Sequence, residues 1–390
     1  MGHEYIVQSP MGVVVALAGT AAGFHFVARA TRWRLFSFFP PLLFIYLAPM
    51  VLSNAGLLVH ESPVYDWMSG TMLPFLLVIV LLKVDVVSAV RVMGRGVLVM
   101  LCGSAGVILG APLAYSLVKG KLDPTAWKAF GSLAGSWIGG TANMAAVGQG
   151  LGASGAEFGL AVLGDNLVYI TWLPILLASK GLAPWFNRFA RVDPRRIEML
   201  EQASAAAPPS REPMAMQHFL YLLFLGFAAA LVAEHLSHLL PERAPVLMAG
   251  TWKILLVTTL GLLLSVTPAR AIPGSQELAV ALIYLFIASM GARADLSGLR
   301  GQAVWFVLGA YLWIAVHGTG CVLAARLLHV DIHSTAIASA ANIGGAASAP
   351  VVAAHHNPRL VPVSILMALL GYALGTYGGF LAAWLCQQVS

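Results

Sequence analysis

The sequence predicts an all-α polytopic membrane protein. It reads as two inverted repeats of about five transmembrane helices, each with a Gly-rich re-entrant or broken helix, giving 10–12 membrane segments. Three observations carry this. The chain of 390 residues is 59% hydrophobic and only 10% charged, with a mean hydropathy of +0.83, whereas a soluble domain carries roughly 25% charged residues. Apolar runs approaching the ~20 residues of a bilayer span recur along its whole length. Finally, two Gly-rich stretches match: 131–150, GSLAGSWIGGTANMAAVGQG, and 338–354, ASAANIGGAASAPVVAA. Within them IGGTANMAAV (138–147) and IGGAASAPVV (343–352) align without a gap. Gly costs about 1 kcal/mol against Ala inside a helix, and irregular backbone persists in a bilayer only when buried in protein or lining a wet cavity. Paired interruptions in corresponding parts of two halves point to a transporter's binding site.

The first span covers about 11–28, followed by Arg29, Arg32 and Arg34. No basic region precedes it, so a cleavable signal peptide is not expected. The second covers about 35–58, with Pro40, Pro41 and Pro49 expected to kink it. A short loop with Glu61 and Asp66 leads to the third, about 67–82, after which come Lys83, Asp85, Arg91 and Arg95. The fourth spans about 96–118, and the first Gly-rich stretch and a span over about 157–179 complete the first repeat, 1–179. Residues 180–215 form a basic linker holding Lys180, Arg188, Arg191, Arg195, Arg196 and Arg211 and an Ala/Pro/Ser run. Its composition suits a solvated connector, and 185–190 suits a short interfacial helix. The second repeat, 216–390, follows the same plan: spans near 217–236, 247–266, 277–290 and 302–328, the second Gly-rich stretch, and a last span near 360–385. Smaller echoes flank the Gly match: Lys83-Val84-Asp85 with Arg293-Ala294-Asp295, Arg91 and Gly94 with Arg300 and Gly301, Asp123 with Asp331, and Gly164 with Gly371.

Charge decides orientation. The basic clusters at 29–34 and 180–211 should both be cytoplasmic, which fails if each Gly-rich stretch crosses the bilayer. It holds if each is a re-entrant hairpin, leaving five crossings per half and the halves inverted. Lys119 and Lys121 then fall outside, against the rule; crossing broken helices with one span fewer are the alternative. The net charge of +6 is read as cytoplasmic loops rather than nucleic-acid binding.

The pair GSWIGGTANMAAV and ANIGGAASAPVVAA, with the tail LGYALGTYGG (370–379), resembles the YjcL-like family, a membrane family labelled as a domain of unknown function. More distantly the plan is similar to the sodium/glutamate and 2-hydroxycarboxylate symporters, and to the bile-acid/sodium symporters with crossed broken helices. The resemblance implies a bacterial inner-membrane secondary transporter with an elevator motion, and names no substrate.

Candidate substrate contacts cluster at the breaks: Gly139, Gly140, Thr141 and Asn143 in the first, Asn342, Gly344, Gly345 and Ser348 in the second, with Tyr372 and Thr376 in the last span. Broken helices expose N–H groups that favour anions and C=O groups that take cations, and buried amides both donate and accept. The competing reading is close packing through small residues and interhelical hydrogen bonds. Asp165 is a lone acid well inside a span, where ionisable groups face a cavity; with Asn166 and Tyr169 it forms the candidate ion-coupling set. Lys83 and Arg293 are read as membrane-boundary residues, and Glu157 as an interface residue. His25 and His317 read as packing groups, and the adjacent His355 and His356 cannot share one helical face as metal ligands. The three cysteines offer neither a disulfide framework nor metal spacing.

These readings converge on an ion-coupled (Na⁺ or H⁺) secondary transporter for an organic anion, amino acid or short peptide. A channel is the alternative, and an intramembrane enzyme a more distant one. No cofactor is expected beyond Na⁺ as a coupling ion. The expected partners are a small-molecule substrate and the lipid bilayer, with no nucleic acid; a homodimer stays open.

Overall fold

The computed structural model describes residues 5–31, 33, 36, 41–193, 214–294 and 301–390. Arg32, Arg34, Leu35 and Pro40, most of the linker with Arg195, Arg196 and Arg211, and Asp295 with Arg300 lie outside the described residues.

The described chain is helical. Helix α1 is Pro10–Thr31 and α2 is Pro41–Asn54. Pro41 opens α2, where a missing N–H costs nothing, and Pro49 lies within it. Helix α3, Pro63–Leu81, starts at Ser62, whose hydroxyl accepts from the Val64 N–H at 3.3 Å, and contains a π-turn over Met68–Met72. The amphipathic α4 (Val86–Met93) precedes α5 (Arg95–Val118). The first Gly-rich stretch forms α6 (Trp127–Gly139) and α7 (Thr141–Gly150). Helix α8 (Gly155–Ala178) opens on a capping box in which Glu157 closes back on Ser154, the role that the sequence left as an interface residue. The short α9 (Ala183–Ala190) exposes Trp185 and Phe189, stacked 5.6 Å apart, and buries Phe186 and Ala190.

Then follow α10 (Met216–Ser237), α11 (Ala249–Ser265), α12 (Ser275–Ala292) and α13 (Ala303–Leu328). The second Gly-rich stretch forms α14 (Ile332–Ile343) and α15 (Gly345–His356), and α16 (Val361–Gln388) closes the chain. Eight of the described helical stretches are long and apolar enough to cross a membrane, with α2 and α11 as shorter apolar helices.

Packing sorts these helices into two bundles that cut across the sequence halves. Helices α1, α2 and α3 pack with α10, α11 and α12; α5 to α8 pack with α13 to α16. In the second bundle α5 and α13 run antiparallel. Gly103 faces Cys321, Gly110 faces Trp313 and Gly309 faces Val118, so contacts descend one helix as they climb the other.

Each Gly-rich stretch is a helical hairpin. In the first, a Cβ on Gly135 would lie 3.1 Å from the Val147 side chain, and one on Gly148 3.1 Å from the Ser132 hydroxyl. Lys128 Nζ donates to the Gly152 carbonyl at 3.1 Å across the base. In the second, His333 Nδ1 and His356 Nδ1 stand 3.0 Å apart at the base. The irregular backbone is narrower than the sequence suggested. It is confined to Gly140 (φ +78°) and to Gly344 with Gly345 (φ +56°), the left-handed region that side chains avoid. The flanking Ala, Met and Val residues remain helical.

Helices α5 and α13 are antiparallel, and a hairpin follows the end of each, so the hairpins enter the bundle from opposite ends. Their tips meet: a Cβ on Gly345 would lie 3.8 Å from the Gly140 Cα. Helix α16 locks the first hairpin. Its Gly371 and Gly375 lie against Gly139 of α6, its Gly379 against Gly135 and its Ala383 against Gly131, a small residue every fourth position on each helix. A Cβ on Gly139 would reach the Gly371 carbonyl oxygen at 2.6 Å, and one on Gly375 the Gly139 Cα at 2.7 Å. Two helices approach this closely only through small residues.

Candidate substrate cavity

A cavity of about 350 Å³ lies between the bundles and reaches the hairpin tips. Its wall runs from Tyr372, Gly140 and Gly344 to Pro41, Lys83 and Gln276 near helix ends. Tyr372 sits between the tips: its ring lies 3.1 Å from a Cβ built on Gly140 and 3.4 Å from one on Gly345.

Asp165 stands on the wall beside the first tip. Trp137 Nε1 donates to its Oδ1 at 3.0 Å, and Ser136 lines the same cavity. One turn on, Tyr169 accepts a hydrogen bond from the Ser348 hydroxyl at 2.8 Å, tying α8 to the second hairpin. Asn166 also reaches the wall, with its amide donating to Val162 of its own helix at 2.8 Å.

The structure brings Gly140, Thr141, Asp165, Asn166, Tyr169, Gly344, Ser348 and Tyr372 to one cavity. Gly139, Asn143, Asn342, Gly345 and Thr376 are set back from its wall. The two asparagines are spent on helix contacts. Asn143 donates to the Gly139 carbonyl at 2.6 Å and accepts from Thr376 at 2.5 Å; Asn342 donates to the Met100 carbonyl at 3.0 Å and accepts from Ser104 at 3.3 Å.

Four polar wall residues lie outside the candidate set: Ser136, Lys83, Gln276 and Tyr284. Ser136 and Trp137 lie inside the Gly motif, one turn before the break, and that proximity was their signal. The sequence reads Lys83 as a membrane-boundary residue, with Asp85 two positions on. Asp85 pairs with Arg270 at 3.2 Å, while Lys83 Nζ donates to the Arg270 carbonyl at 2.8 Å. Burial lowers the Lys83 pKa below the usual lysine value, opposed by the Glu277 carboxylate.

The histidines sit elsewhere. His317 is buried between α5, α13 and α14, bonded to the Gly103 carbonyl and the Ser339 hydroxyl at 2.9 Å each. His356 turns to His333 rather than to His355. Among the described residues no group of three or more His, Cys, Asp or Glu could hold a metal ion.

Neither α7 nor α15 has a side-chain cap at its start. Their first N–H groups, with the positive ends of two helix dipoles, therefore converge at the tips. The last carbonyls of α6 and α14 end there too. The cavity thus offers donors for an anionic group, carbonyls and one carboxylate for a cation, and aromatic walls in Tyr169, Tyr284 and Tyr372.

A family model described as "Protein of unknown function (DUF819)" matches residues 15–389. The chain belongs to the DUF819 family. It is 29% identical over 347 residues to the "Uncharacterized membrane protein YjcL" of Bacillus subtilis (strain 168), an alignment covering 86% of this chain and 87% of that one. Both hairpins, Asp165 and Tyr372 lie inside the family match. Like YjcL, this DUF819 chain is an integral membrane protein.

Proposed function

We propose that this DUF819 protein is an ion-coupled secondary transporter of a small polar solute, an organic anion, amino acid or short peptide, working by an elevator motion. One observation carries the reading: two helical hairpins from different halves of the chain meet tip to tip at the blind end of a cavity between two bundles. The hairpins act as re-entrant loops, so that ten helices cross the bilayer and the halves are inverted. The antiparallel α5 and α13 and the opposed hairpins support that arrangement. The bundle of α5 to α8 and α13 to α16 carries the solute past the bundle of α1 to α3 and α10 to α12.

Lys83, Arg95, Lys180 and Arg270 lie at the end toward which the cavity wall extends, tied there by bonds to the Arg270, Leu328 and His355 carbonyls. By the positive-inside rule that end is cytoplasmic, and the cavity is the inward-facing form of the site. A channel fits less well, because beyond the tips α6 packs glycine against the backbone of α7 and α16.

Asp165 is assigned to ion coupling and the tips to the solute. The test is uptake into proteoliposomes under imposed Na⁺ or H⁺ gradients, wild type against Asp165→Asn, with organic acids, amino acids and peptides as solutes. Gradient-driven, saturable uptake that loses its ion dependence in the variant is expected. Uncoupled conductance in the wild type would replace the transporter with a channel, and unchanged ion dependence in the variant would remove Asp165 from coupling.

A further inference from the structure

A second concavity, of about 800 Å³, lies on the opposite face of the bundle interface, between α4, α11 and α16. Its two ends differ in chemistry. At one end stand Arg91 of the amphipathic α4, Arg270 just beyond α11, and Asp85. Asp85 is engaged with Arg270 at 3.2 Å. Arg91 is exposed and has no hydrogen-bond or carboxylate partner among the described residues. Cations therefore outnumber the one acid. From there the groove runs along Leu262 and Leu263 of α11, Val266 at its C-terminal end, and Leu370, Ala373 and Leu374 of α16. It reaches the Thr259 and Tyr377 hydroxyls, 2.8 Å apart, which bridge α11 to α16. From Val266 to Thr259 the helix alone gives roughly 10 Å of apolar track.

A cationic rim at the membrane boundary with an apolar track running inward has the polarity of one molecule: a lipid with an anionic headgroup. We propose that this groove is a specific site for one anionic phospholipid, its phosphate on Arg91 and Arg270 and an acyl chain along α11 and α16 to the Thr259–Tyr377 bridge. A zwitterionic lipid would present its own cation to the rim, and free phosphate would leave the apolar track unfilled. The lipid touches both bundles at once, since α11 belongs to one and α16 to the other. It is thus placed where one bundle would slide past the other.

The test uses the full chain, purified and stripped of lipid in detergent. Phosphatidylglycerol and phosphatidylcholine with identical chains are added in equal amounts, and bound lipid is counted by native mass spectrometry. Wild-type protein should hold one phosphatidylglycerol in preference to phosphatidylcholine by roughly fivefold or more, the factor that one basic residue near an anionic surface is worth. Arg91→Gln should bring the two lipids to near parity. Leu263→Trp, which fills the track without touching charge, should lower retention of both. Both residues are exposed, so neither change removes a buried contact. Equal retention of the two lipids by wild type would overturn the proposal. So would unaltered retention in both variants, or displacement of the lipid by inorganic phosphate alone, which would mark a simple anion site. None of these outcomes depends on whether the protein transports anything.

Discussion

Gly139 and Gly140 are neighbours in sequence with different physical tasks. Gly140 turns the chain at φ +78°, whereas Gly139 is helical and lets α6 press against α16. A methyl group at 139 would meet the Asn143 amide and, at 2.6 Å, the Gly371 carbonyl. Gly139→Ala should therefore destabilise the protein by about 1–3 kcal/mol, the usual cost of overpacking. Gly19→Ala in α1, where nothing lies within 4 Å, should be neutral or stabilising by up to about 1 kcal/mol. Thermal melting in detergent compares them, and equal shifts would show that the α6–α16 contact is not tight. The sequence reading treated the Gly pair as one unit, although a glycine at every fourth position, 131, 135 and 139 and again 371, 375 and 379, was already visible. It also left the two asparagines divided between solute binding and helix contacts. Nothing short of three-dimensional placement could divide them, because an amide suits both tasks.

At the scale of elements, the hairpins were legible as interruptions, while their entry from opposite ends of the bundle is read from the antiparallel α5 and α13. Their helical content was not legible, because small residues mask how little backbone the turn consumes. Nor was the interleaving of halves into two bundles, since it depends on long-range packing that no local pattern encodes. If the bundles slide, fastening them should stop transport. Thr259 and Tyr377 bridge α11 and α16. In a background lacking native cysteines, a bifunctional thiol reagent linking Thr259→Cys to Tyr377→Cys should reduce uptake at least about tenfold, reversibly on reduction. Linking His333→Cys to His356→Cys, within one hairpin, should leave it near wild type. Full uptake with the cross-bundle link in place would rule out relative motion there.

For the whole molecule, sidedness gives a direct check. Cysteines placed at Arg188 and Arg359 should react with an impermeant thiol reagent from the cytoplasmic side only. Cysteines at Glu61 and Lys121 should react from the opposite side. Lys119 and Lys121 lie at that opposite end, with Lys119 Nζ on the Val389 carbonyl beyond α16. The charge exception noted in the sequence therefore stays in the folded chain. Labelling of Arg188 and Lys121 from one side would mean that α6 and α7 cross the bilayer, undoing the opposed-hairpin topology.

The meeting of Gly140 with Gly345 also bears on truncation. On the proposed transport reading, each half supplies one of the two tips that meet, so neither half alone holds the site. A chain cut short after its first half should therefore be a null for uptake rather than a half-active form.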